Sequence, residues 1–67
     1  MTVTINGTPE SLPSGTTIAG LLAARNLSPD KVAIELNKRL VRGANNGYAR
    51  PLQDNDQLEI VTFVGGG

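Results

Sequence analysis

The residues with a chemical handle are the last three, Gly65-Gly66-Gly67, which follow directly on an apolar, β-branched run. Glycine has no Cβ, so such a tail is flexible and can enter a channel too narrow for side chains. Extended, three residues reach roughly 10 Å. The tail leaves an α-carboxylate free of steric cover. A carboxylate is ionised at neutral pH and is a poor electrophile until it is activated. Adenylation by ATP would activate it, by making one oxygen part of a good leaving group. A domain that works this way is a substrate of enzymes and not an enzyme. The other reading of the same residues is an inert tail.

The remainder of the composition offers little competing chemistry. The chain has 67 residues, no cysteine and no histidine. That excludes disulfides, thiolate metal sites and Cys nucleophiles, and it removes the commonest general base near neutral pH. Asp54 and Asp56 alone supply too few ligands for a cation and read as turn formers. No catalytic residue and no metal site is assigned. Six basic residues balance six acidic ones, which gives no electrostatic footprint for nucleic acid or an anionic membrane. Four of the six basic residues, Lys38, Arg39, Arg42 and Arg50, cluster in sequence, as a solvated loop or a docking patch for an acidic partner. No apolar run approaches the ~20 residues that span a bilayer. The N-terminal residues lack the pattern of a signal peptide, and the expected location is the cytoplasm.

The elements that must position the tail can be read from periodicity. Met1, Val3 and Ile5 alternate with Thr2 and Thr4, which predicts a half-buried strand. Asn6-Gly7 then predicts a tight hairpin turn. The return segment, Thr8 to Leu12, contains Pro9 and belongs at a sheet edge. Thr16 or Thr17 can cap a helix carrying Ile18, Leu21, Leu22 and Arg25 on one stripe and ending near Asn26. Gly20 inside it suggests either close approach of another backbone or a weak helix.

Val32, Ile34 and Leu36 mark the next strand, followed by a turn at 37–39 and a short strand at Leu40-Val41. Residues 42–53 are irregular, anchored by Tyr48 and Leu52, and Asn55 should adopt a left-handed conformation in the turn Asp54-Asn55-Asp56. The last strand, Gln57 to Val64, is apolar on both faces. Leu58, Ile60 and Val64 share one parity; Val61 and Phe63 take the other. One helix covers only one face of a four- to five-stranded sheet, which is α+β architecture. Val61 and Phe63 then point to a partner-binding surface on the uncovered face, unless the 42–53 segment folds over them. The domain spans residues 1–64, and residues 65–67 form the flexible tail.

Several segments together resemble one family. They are Val3-Thr4-Ile5-Asn6-Gly7, Gly15-Thr16-Thr17-Ile18-Ala19-Gly20-Leu21-Leu22, Val32-Ala33-Ile34-Glu35-Leu36-Asn37 and the run from Asp54 to Gly67. Their order and the chain length resemble the ThiS family, sulfur carriers of thiamin biosynthesis with the β-grasp fold of ubiquitin. The resemblance implies a mixed sheet packed on one main helix. It implies that Gly67 is the modified, sulfur-carrying residue, with Gly65 and Gly66 as its tail. An E1-like, ThiF-like enzyme would adenylate the Gly67 carboxylate with ATP and magnesium. Sulfur from a persulfide donor would replace AMP to leave a thiocarboxylate, which a ThiG-like thiazole synthase would consume. The carrier itself would hold no cofactor.

Two segments depart from the family's pattern. Asp54-Asn55-Asp56 stands where Asp-Gly-Asp is usual, and Arg42 to Tyr48 replaces a Pro-Arg and a short helical stretch. The glycines and asparagines of that second segment argue against a regular helix. Two other readings stay open: a carrier like the small subunit of molybdopterin synthase, and a non-covalent ubiquitin-like binding module with an inert tail.

Overall fold

The computed structural model describes residues 1–63. Strands β1 (Thr2–Ile5) and β2 (Thr8–Ser11) form an antiparallel hairpin in which Ile5 faces Thr8. The two turn residues, Asn6 and Gly7, have φ of 50° and 84°. Paired positive φ is what a two-residue turn needs to match the twist of its strands, and asparagine and glycine reach it at the lowest cost. Pro9 lies in β2, and β2 is an edge strand, so its missing N–H costs no ladder bond to a further strand.

Helix α1 (Ile18–Ala24) starts at Thr17, whose Oγ1 accepts the backbone N–H of Gly20 at 3.0 Å. It stops at a left-handed residue, Asn26, with φ of 58°. The N–H groups of Asn26 and Leu27 donate to the carbonyls of Ala23 and Leu22 at 3.1 and 2.9 Å. These two bonds form a Schellman cap, with asparagine in the place usually held by glycine. Gly20 meets no foreign backbone. A Cβ there would lie nearest the cap's own Thr17 Oγ1, at 3.3 Å, so the expectation of a close approach is corrected. A single 3₁₀ turn, Pro29–Lys31, leads out of the helix region.

Strands β3 (Val32–Leu36) and β4 (Arg39–Val41) are joined by Asn37 and Lys38, both with positive φ. Strand β5 (Gln57–Thr62) enters between β1 and β3, giving the order β2-β1-β5-β3-β4. It runs parallel to β1 and antiparallel to β3, so the sheet is mixed and has five strands.

The helix buries Ile18, Leu21 and Leu22 against Val3 and Ile5 of β1, Val32, Ile34 and Leu36 of β3, and Leu58 and Ile60 of β5. Ile18, Leu22, Ile34, Leu58 and Val3 are almost fully enclosed. Each such side chain contributes about 1.5–3 kcal/mol by leaving water.

The irregular 44–49 segment consists of two short turns merged across Asn45 and Asn46, both left-handed. No regular helix forms there. At Gly47 a Cβ would sit 1.8 Å from the carbonyl oxygen of Arg42, so the chain closes on itself where only glycine fits. The segment buries Tyr48 and packs on α1, and the residues after it are pinned to the start of the helix region by two bonds: Ile18 N to Arg50 O at 3.2 Å and Leu52 N to Thr16 O at 2.8 Å. It therefore closes the helix side of the sheet and leaves the other face open.

Candidate functional site

Strand β5 carries the chain towards its terminal glycines from the centre of the sheet. On the β3 side its backbone is held as far as Phe63, whose N–H donates to Lys31 O at 2.8 Å. On the β1 side, Asn6 N donates to Leu58 O at 2.9 Å. Beyond that the Asn6 side chain takes over: Oδ1 accepts from Ile60 N at 2.7 Å, and Nδ2 donates to Ile60 O at 3.2 Å. The base of the strand is tied down as well. Thr2 N donates to Asp54 Oδ1 at 2.7 Å and Gln57 N to Asn37 Oδ1 at 2.9 Å, while Asn37 Nδ2 reaches Asp56 Oδ1 at 3.0 Å.

Asp54 and Asp56 are thus occupied in shaping the turn, with Asp56 Oδ2 also accepting from Gln53 N at 2.8 Å. Asn55 is left-handed, with φ of 70°. Among the described residues no group of three or more His, Cys, Asp or Glu is placed to hold a metal.

Val61 and Phe63 lie on the open face, each 58% exposed. The alternation within β5 holds from Gln57 to Val61, with Leu58 and Ile60 buried and Glu59 and Val61 exposed, and it lapses at Thr62, which is exposed as well. The strand described is Gln57–Thr62, and Phe63, which the sequence-based expectation placed in it, lies just outside. Val64 and Gly65, Gly66 and Gly67 lie outside the described residues, so the expectations placed on them concern a segment of which nothing structural is stated.

Sequence reasoning missed a third apolar residue of this face. Leu40, also 58% exposed, pairs with Glu35 across β3 and β4. The available signal was two adjacent apolar residues, Leu40-Val41, in a short strand, which must face opposite sides, but deciding which one is exposed needed the hairpin register. Ala33 pairs with Val61, and Glu35 with Glu59, in adjoining rows of the same face. The basic residues divide: Arg42 and Arg50 line one cleft with Leu40, Asn46 and Gly47, while Lys38 and Arg39 belong to the β3–β4 hairpin and do not line it. No helix among the described residues is long and apolar enough to cross a membrane.

The ThiS family model matches residues 3–67, which includes the sheet, the helix and the terminal glycines. The chain belongs to the ThiS family. Its structure is similar to the crystal structure of the thiamine biosynthesis protein ThiS from Geobacter metallireducens, with 28% identity, a TM-score of 0.78 and both chains covered in full. A ubiquitin-like protein from the archaeon Caldiarchaeum subterraneum, at 18% identity and a TM-score of 0.53 over 98% of this chain and all of its own, shares the fold. The fold of this ThiS-family chain is accordingly the ubiquitin-like β-grasp. In sequence it is 45% identical, over all of its 67 residues, to part of a thiazole synthase from Magnetococcus marinus. The chain spans only 20% of the length of that relative.

Proposed function

We propose that the chain is a sulfur carrier for thiazole formation in thiamin biosynthesis, and that Gly67 is the residue that carries the sulfur. The observation behind this is the ThiS-family match, which runs through the terminal glycines at the end of a strand anchored at the sheet's centre. In the proposed sequence a ThiF-like enzyme, using ATP and magnesium, joins the Gly67 carboxylate to AMP and releases pyrophosphate. A persulfide sulfur then attacks the acyl carbon and AMP leaves. Cleavage of the remaining sulfur–sulfur bond by a thiol yields the thiocarboxylate. A thiazole synthase of the ThiG type takes the sulfur from there, and the likeness to part of a thiazole synthase supports that partner.

The carrier contributes a carboxylate, a side-chain-free approach and a surface to dock; its partners contribute the catalysis. The open face formed by Leu40, Val61 and Phe63 supplies the docking surface for the adenylating enzyme.

The test is co-expression with a ThiF-family enzyme and a persulfide-generating cysteine desulfurase, followed by intact mass measurement. The expected product is heavier by one exchange of oxygen for sulfur, localised to the C-terminal peptide. Absence of that increment, under conditions that charge a known carrier, rejects the proposal and leaves a non-covalent binding module with an inert tail.

A further inference from the structure

Glu35 and Glu59 stand directly opposite each other on β3 and β5, and both are exposed on the open face. The same register pairs Asn37 with Gln57, where Asn37 N donates to Gln57 O at 2.7 Å. Pair types alternate along an antiparallel ladder, so Glu35 and Glu59 also form a hydrogen-bonded pair, with Cα atoms about 5.5 Å apart. Like charges in this position repel and destabilise the sheet. Among the described residues the sole ion pair is Arg25 with Glu10, and Glu10 shares its cross-strand register with buried Val3, on the helix side. Among the described residues neither Glu35 nor Glu59 forms an ion pair. Together with Ala33, Leu40 and Val61 they line a depression of about 390 Å³.

We propose that this acid pair is the specificity element of the docking face: it receives one basic side chain, arginine or lysine, that the adenylating enzyme presents between apolar residues. The inference rests on the reading of the open face as that enzyme's docking surface. A cation seated between two carboxylates makes charge-assisted bonds to both, and the apolar flank of Leu40 and Val61 strengthens them by excluding water. A wholly apolar partner would instead bury two unpaired carboxylates, which is costly. A second copy laid face to face would bring four carboxylates together. The acid pair therefore selects a basic partner and disfavours self-association of an exposed apolar patch.

The test sets binding against stability. Affinity for a purified ThiF-family adenylating enzyme is measured by calorimetry for the unaltered chain, Glu35→Gln, Glu59→Gln, the double variant and Val61→Asp, with a thermal melt of each. Each glutamine is expected to weaken binding about tenfold, equivalent to about 1.4 kcal/mol, and the double variant to flatten the salt dependence of binding. The melting temperature should stay level or rise, because repulsion is relieved. If the double variant binds normally while Val61→Asp does not, the docking face stands and the acid pair's role is overturned. A fall in melting temperature in the glutamine variants also overturns it, since the carboxylates would then have a partner within the fold. If Val61→Asp binds normally, or the unaltered chain does not bind, the docking reading itself falls and the inference falls with it.

Discussion

The side-chain amide of Asn6 pairs with both backbone groups of Ile60, 54 residues away, and so acts as one more peptide unit of the sheet. The parallel ladder between β1 and β5 runs from Thr4 N–Asp56 O to Asn6 N–Leu58 O, both 2.9 Å. Its next partner would be residue 8, but the chain has already turned into β2. Ile60 would be left with an open donor and acceptor on that side. Asn6 fills both while its own backbone, at φ of 50°, makes the turn. The glycine substitution separates these two duties. Asn6→Gly keeps the turn and loses both bonds, and should cost about 1–3 kcal/mol. Asn6→Ala loses the bonds and also strains the left-handed backbone, adding roughly 1 kcal/mol. Urea unfolding of the two variants checks the order.

Among the described glycines, Gly47 has the least room for a side chain. A methyl group there would overlap the Arg42 carbonyl oxygen, and backbone must move to admit it. Gly47→Ala should destabilise by about 1–3 kcal/mol and loosen Tyr48, which packs within the same segment. Chemical denaturation together with the Tyr48 fluorescence signal reads both effects. A neutral result would mean that the 44–49 turn yields without disturbing its seat on α1.

Val61 and Phe63 should separate binding from folding. Both are more than half exposed and neither belongs to the core. Val61→Asp or Phe63→Asp should cost no more than about 1 kcal/mol through strand preference. Binding to the adenylating enzyme should weaken by at least about tenfold, or 1.4 kcal/mol. Circular dichroism and calorimetry on the same preparation make the comparison. Loss of fold in either variant would place the residue in the core and overturn the assignment of faces.

Removal of Gly66-Gly67 should leave the melting temperature unchanged, because the core residues lie between Val3 and Ile60. Docking should persist. Sulfur loading, followed by intact mass, should disappear. A truncated chain that still supported thiazole formation would exclude the terminal glycine as the carrier.

Much of this architecture could be read from local sequence. Alternation at Val3/Ile5, Val32/Ile34/Leu36 and Leu58/Ile60 marked three strands and the side each buries, because an element's own period reports its own exposure. Asn6-Gly7, the pair Thr16-Thr17 and Asn55 marked a turn, a cap and a left-handed corner, since each is a local conformational requirement met by its own residue type, and the structure places the cap at Thr17. The glycine tail and the uncovered Val61 and Phe63 were visible for the same reason.

Relations between elements were not visible. The confrontation of Glu35 with Glu59 depends on the register of β3 against β5, and a slip of one residue would have put the two on opposite faces. The double bond of Asn6 to Ile60 required β5 to enter beside β1. Gly47 looked like ordinary loop glycine until the chain folded back on Arg42. The sequence by itself determined the strands, the helix and the run of three glycines on which the proposed chemistry rests. The tertiary structure decided that the 44–49 segment covers the helix side, and that Leu40, Val61, Glu35 and Glu59 meet on one open face. Periodicity acts within a segment, while register and face-sharing are set by packing between segments far apart in the chain.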